Sequence, residues 1–269
     1  MTEPDEFDLD QTTRVRARAA HGAYRVTRGK TVIGEELWQI LHLRNGMTRV
    51  MTEISMRWPV AHQHRVRFDL NEAWQPDNVW AEVESQGSRF NGHFTRESEN
   101  VLHARTRRTV LQRQETPKNK PASDEPEPLQ TFRSTPSKVI LNEPLDFGND
   151  AQIDFNSPLF NFVILRRLAG AVGRVMEPGT VKTFGSVVIT LPHLKPIRAT
   201  QTYACVDQTP PKDKNFGYPV WHYRITEPGN AGAQTQVWAN AHNIPVQMEV
   251  TLNGATHITE LTSFHWRDA

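Results

Sequence analysis

Apolar residues recur in this chain with a period of two, segment after segment, and short turn signals separate the segments. That alternation commits most of the length to β-strands with one face buried. Between Ile33 and Leu41, residues Ile33, Leu37 and Leu41 fall on one strand face and Glu36, Trp38 and Ile40 on the other. Asn45-Gly46 marks a hairpin turn into residues 47–58, because both residues tolerate positive φ. His64, Val66, Phe68 and Leu70 alternate with Gln63, Arg65, Arg67 and Asp69, as in a sheet with one wet face. Further strands are expected at about 78–85, 88–95 and 100–113, then at 181–191, 198–207, 217–226, 233–241, 244–252 and 255–266. The pattern is an antiparallel meander, not a series of βαβ units.

One helix interrupts it, at about 157–169. The Ser157 hydroxyl can accept an orphan backbone N–H, and Pro158 has no N–H to orphan. Phe160, Val163, Ile164 and Leu168 form an apolar stripe at helical spacing, and Gly170 or Gly173 can end the helix. Residues 1–20 read as a polar, flexible lead-in to one domain over 21–269. Residues 115–137 hold five prolines among alternating charges and read as a solvated surface loop.

Composition removes several function classes. Among 269 residues, Lys+Arg 31 against Asp+Glu 30 leaves a net charge of +1, without the basic surplus that nucleic-acid binding needs. The lone Cys205 excludes a disulfide framework and a cysteine-based metal site, and reads as a small buried filler. No apolar run approaches the roughly 20 residues of a membrane span, and the acidic start is no secretory signal, so a cytoplasmic location is expected. The phosphate-cradling loop, the G-x-S-x-G elbow, the H-E-x-x-H motif and the dinucleotide fingerprint are missing, and no cofactor or metal is expected.

Carboxylates among aromatics carry more information. Glu36 alternates with Trp38 and Ile40, and Glu260 with Ile258, Thr262, Phe264 and Trp266. Apolar walls disfavour the charged form and raise the pKa, which suits acid/base work, although pairing with a cation would make either glutamate purely structural. Trp221-His222-Tyr223 and the run from Trp238 through Asn240 to His242 could line a pocket for a lipophilic ligand, or fill a large β core. His62 and His64 share a face without a third ligand at metal-site spacing, and read as partly exposed sheet histidines. His103, Arg105 and Arg107 read as a solvated outer row.

The stretch Asp154-Phe155-Asn156-Ser157-Pro158, continuing through Asn161 to Arg166-Arg167-Leu168, resembles a signature of a bacterial family described as glycolipid-binding. In that signature an acidic strand end leads through Ser-Pro and an Asn into a helix ending in Arg-Arg-Leu. Leu191–Pro196 followed by Gln201-Thr202-Tyr203, and Asp69–Trp74 earlier, fit in order, and the matches span about two-thirds of the chain. The resemblance implies a spiral β-roll, one long antiparallel sheet curled around a helix, related in fold to LolA/LolB-type lipoprotein carriers and to the violacein-pathway β-roll enzyme. It points to Asp154, Asn156, Ser157, Asn161, Arg166, Arg167, Gln201 and Tyr203. Residues 115–137 and the ending from Val237 to Glu249 depart from the family pattern.

The leading expectation is a mainly β roll that binds a lipid- or terpenoid-like small molecule in an apolar cavity. Its ligand-binding candidates are Trp38, Asn156, Asn161, Arg166, Arg167, Gln201, Tyr203, Trp221, Tyr223, Trp238 and Asn240. The alternative is a cofactor-independent lyase or isomerase working in the same cavity, with Glu36, Glu260, Asp154, His222 and His242 as catalytic candidates. A third reading makes the proline-rich loop a contact site for a partner.

Overall fold

A computed structural model describes residues 15–58, 60–98, 101–113, 132–146, 152–155, 157–170, 174–227, 233–252 and 254–266. The first half supplies β1 (Val15–Arg28), β2 (Thr31–Leu43), β3 (Thr48–Met56), β4 (His62–Leu70), β5 (Pro76–Ser85), β6 (Ser88–Arg96) and β7 (Val101–Arg113). After them come β8 (Phe132–Ser134), β9 (Lys138–Asp146), β10 (Gln152–Asp154) and the helix α1 (Pro158–Ala169). The chain ends with β11 (Val181–Thr190), β12 (Lys195–Asp207), β13 (Trp221–Thr226), β14 (Ala233–Ala239), β15 (Pro245–Leu252) and β16 (Ala255–Trp266).

All of these strands join one sheet, in the order β10-β11-β12-β13-β14-β15-β16-β1-β2-β3-β4-β5-β6-β7-β8, with β9 also on β7. Pairing is antiparallel throughout except between β10 and β11. The two halves of the chain therefore meet where β16 pairs with β1. The sheet also curls far enough to bring distant strands together. Thr106 on β7 donates from Oγ1 to the Leu194 carbonyl at 3.4 Å, and Phe90 on β6 meets the His193 ring edge-on at 4.9 Å. The β11–β12 turn thus rests on strands near the other end of the ladder.

Helix α1 plugs the roll. Ser157 caps it in an extended conformation (φ −123°, ψ 152°), accepting from the Leu159 N–H at 3.2 Å, and left-handed Gly170 (φ 77°) closes it on the Arg167 carbonyl. The expected one-sided stripe is exceeded, since every residue from Pro158 to Arg166 is buried. A helix apolar on nearly every side fits a position inside the sheet and not on it. Phe160 sits 4.9 Å from Phe68 and 5.0 Å from Phe155, which pins the plug to β4 and to the end of β10.

Three boundaries differ from the sequence reading. β1 begins at Val15, inside the span read as a lead-in. The strand expected at 217–226 begins at Trp221, because the preceding segment packs across the outer face of the sheet: Thr209 accepts from Trp238 Nε1 at 3.1 Å. Of the 115–137 connector, residues 115–131 lie outside the described residues, and 132–134 form strand β8 on β7.

Tight strand packing makes Gly22 a sensitive position. A Cβ there would lie 2.5 Å from the Ser263 carbonyl oxygen and 2.6 Å from the Trp38 ring. The backbone contact cannot be relieved by a rotamer change. Gly22→Ala is expected to cost about 1–3 kcal/mol by overpacking, read as a lower urea midpoint with unchanged m. A midpoint equal to that of the parent would refute the close approach.

Candidate functional site

Between α1 and the inner face of the sheet the roll encloses a cavity of about 420 Å³. Val26, Ile54, Met56, Phe155, Ile225 and Met248 give it apolar walls. Against these stand a few polar side chains, gathered from segments far apart in sequence.

Glu36 projects from β2 into this space and is only 1% exposed. Thr52 Oγ1 on β3 and Ser157 Oγ at the helix cap each donate to its Oε1 at 2.7 Å. Ser157 therefore caps the helix and binds the glutamate with one hydroxyl. Burial pushes the Glu36 carboxyl up to about 7, although both hydroxyls favour the ionised form. The Tyr24 phenol, across the strand pair from Glu36, is raised by burial and then by the Glu36 charge.

A second group sits where β10, α1 and β12 meet. Gln201 Nε2 donates to Asp154 Oδ2 at 2.9 Å and to Glu227 Oε1 at 2.7 Å. Tyr203 donates to Asn161 Oδ1 at 2.7 Å, and Asn161 Nδ2 donates back to the Ser157 carbonyl at 3.2 Å. Burial, followed by Asp154 and Glu227, holds the Tyr203 hydroxyl well above its usual range. The phenol thus serves as a fixed donor that orients Asn161.

The β4 part of the wall carries histidines. His64 on β4 is 4% exposed, neither ring nitrogen has a hydrogen-bond partner among the described residues, and His62 stacks on it at 5.4 Å. Burial, then the charge of His62, lowers the His64 pKa to about 3, so the ring is neutral at physiological pH. Ile54 pairs with Glu36 on one side and His64 on the other, so these residues form one row across β2, β3 and β4. His257, beside Trp58, adds another ring, and its pKa is lowered by burial and then by Arg28.

The roll gathers Glu36, Asp154, Asn161 and Gln201 at the cavity, with Ser157, and holds Tyr203 directly behind Asn161. It places the other candidates elsewhere. Glu260 lies on the outer face, half-exposed and paired with Lys214 Nζ at 2.6 Å. His222 is also outside, stacked on Trp238 at 4.6 Å and hydrogen-bonded to Gln236. His242 stacks on Trp266 at 4.5 Å, and Asn240 Oδ1 ties the same turn together through the His242 and Ile244 N–H groups. Trp38 fills core beside Tyr24 and Phe264, while Trp221 and Tyr223 pack with the second core cluster. Arg166 is buried beneath Trp74, 5.4 Å from its ring, and Arg167 holds the last helical turn, neither lining the cavity. Asn156 lies outside the described residues. Cys205 is a buried free thiol pushed up to about 11, as a packing residue would be.

Thr52, Glu227 and His257 escaped the sequence reading, and His64, read there as a partly exposed sheet histidine, is instead buried. For His64 the signal was its alternation with Val66 and Phe68, which puts the ring on the buried face. Among the described residues, no cluster of three His, Cys, Asp or Glu could hold a metal ion, and no helix is long and apolar enough to cross a membrane.

A long sheet, antiparallel but for one pair, curled around a single plug helix with a cavity between them defines the class: a β-roll with barrel-like curvature. Solved structures resemble the fold, two of them as follows. A crystal structure of a DUF1089 family protein from Pseudomonas aeruginosa superposes with a TM-score of 0.51 at 14% identity, covering 82% of this chain and 90% of that one. A β-barrel-like protein of the domain of unknown function DUF1849 from Brucella abortus gives a TM-score of 0.52 at 9% identity, covering 95% of this chain and 100% of that one. At such identities the likeness is one of fold alone. No protein-family model matches the sequence, and neither does any curated relative.

Proposed function

We propose that the roll binds a lipophilic small molecule, lipid- or terpenoid-like, in the cavity between α1 and the sheet. The observation that carries this reading is the cavity itself, about 420 Å³, apolar for most of its wall and provided with a few fixed polar groups. Both its size and its lining fall in the range of small-molecule sites. The resemblance of the Asp154–Leu168 stretch to a family described as glycolipid-binding supports the same ligand class.

Protein purified from its own host should release a hydrophobe on solvent extraction, and native mass spectrometry should show one such molecule per chain. The emptied protein should bind the neutral fluorophore N-phenyl-1-naphthylamine. Ile225→Trp, which fills part of the cavity, should weaken that binding by at least about tenfold. A protein that yields no hydrophobe and leaves the fluorophore dark refutes the reading.

The second reading, a cofactor-independent lyase or isomerase, draws on the carboxyl of Glu36 held near 7 against an apolar cavity. It requires that Glu36→Gln abolish conversion of a lipophilic epoxide or alkene that the parent protein turns over. Equal rates in both proteins would remove Glu36 from any mechanism.

A further inference from the structure

The polar groups of the cavity carry a sign. Among the described residues its lining includes the carboxyl groups of Glu36, Asp154 and Glu227 and no lysine or arginine. Arg28, stacked on Trp58 at 4.3 Å, is not itself a lining residue. A carboxylate or phosphate entering this space would leave water without meeting a counter-charge from the wall, and would face like charges.

Two polar groups in the wall lack partners a ligand could supply. Both hydroxyls that reach Glu36 end on Oε1, so its second oxygen accepts no hydrogen bond from the described residues. His64 is buried, and among the described residues both its ring nitrogens are unpartnered. A neutral imidazole offers one donor and one acceptor, and leaving either unmet in a buried site costs free energy. A hydroxyl group both donates and accepts, and carries no charge. It matches an ionised or neutral carboxyl as readily as an imidazole.

Resting on the cavity-binding reading above, we infer that the molecule bound there is a lipophilic alcohol, whose hydroxyl lies against the wall formed by Glu36, Ile54 and His64. Selectivity follows from the wall: the alcohol gains hydrogen bonds there, and an acid of the same chain length loses hydration without replacement.

Decan-1-ol and decanoate, which share a chain length, separate this inference from the reading beneath it. In calorimetric titration of the full chain at pH 7.5, decan-1-ol should bind and decanoate should bind at least about tenfold more weakly. Decylamine, a third probe, tests whether the wall favours cations instead of hydroxyls. His64→Phe and Glu36→Gln should each weaken decan-1-ol by about fivefold or more, while circular dichroism reports an intact sheet. His64→Gln, which retains a donor and an acceptor, should recover part of the loss. Decanoate or decylamine binding as tightly as the alcohol overturns the inference and leaves the cavity reading in place. Alcohol affinity indifferent to both substitutions overturns it as well. Failure of all three decyl probes and of N-phenyl-1-naphthylamine to bind overturns both.

Discussion

Glu36→Gln is expected to raise the unfolding free energy at pH 8 by about 3 kcal/mol, and the melting temperature by roughly 6 °C. The sign follows from the carboxyl's position. Burial raises its pKa from 4.5 in the unfolded chain to about 7 in the folded one. Its contribution to stability is fully present below pH 4.5 and is lost as the pH rises through 7, because the folded protein must then hold a desolvated charge. Glutamine keeps an oxygen where Thr52 and Ser157 donate, at nearly the same volume, and it cannot ionise. The gain should therefore vanish near pH 4, where the native carboxyl is protonated in both states. Thermal melts of parent and variant across pH 4–9 measure this directly, and parallel curves would refute the buried, titrating carboxyl. Under the alcohol-binding proposal the same substitution weakens the alcohol while it stabilises the fold, a trade of function against stability.

Much of the architecture was legible because strand periodicity and helix capping are local. The alternation from Ile33 to Leu70 places β2 and β4 within a residue or two, and Ser157-Pro158 fixes the start of α1. What was not legible depends on which face of each strand the closed roll turns inward. Glu36 and Glu260 look equivalent in sequence, each alternating with aromatics. In the β1–β16 ladder, however, the register shifts between Ala23 and Tyr24, which pair with Ser263 and Leu261. Thr262 is the extra residue, and it breaks the alternation between Glu260 and Phe264. Phe264 consequently packs near Trp38 at 6.2 Å, while Glu260 pairs in register with exposed Arg25 on the outer face. The site itself joins residues no local pattern links, since Ser157 and Glu36 are 121 positions apart. The family resemblance pointed to Asp154, Asn161 and Gln201, which the fold brings to the cavity, and to Arg166 and Arg167, which it leaves outside the cavity lining.

His64→Phe is expected to protect the protein against acid, with the largest effect of any single substitution proposed. In the folded chain the His64 pKa falls to about 3 from 6.5, mainly by burial. Its neutral form therefore contributes stability that is present above pH 6.5 and is lost as the pH falls toward 3, to a total of roughly 5 kcal/mol. Glu36 acts in the opposite direction between 4.5 and 7, so the parent protein should show little net slope over that interval and a steep loss below it. Phenylalanine removes the acid-sensitive group and also two buried nitrogens without partners, so a smaller gain of about 1–3 kcal/mol should remain at pH 7. Urea denaturation at pH 7, 5 and 4 isolates these contributions as the difference between variant and parent, in which the carboxylates common to both cancel. A difference that stays constant from pH 7 to 4 would mean that the imidazole already reaches water or a partner. A difference that widens toward acid would establish a neutral, unpartnered ring held against the cavity, ready for a ligand hydroxyl to meet.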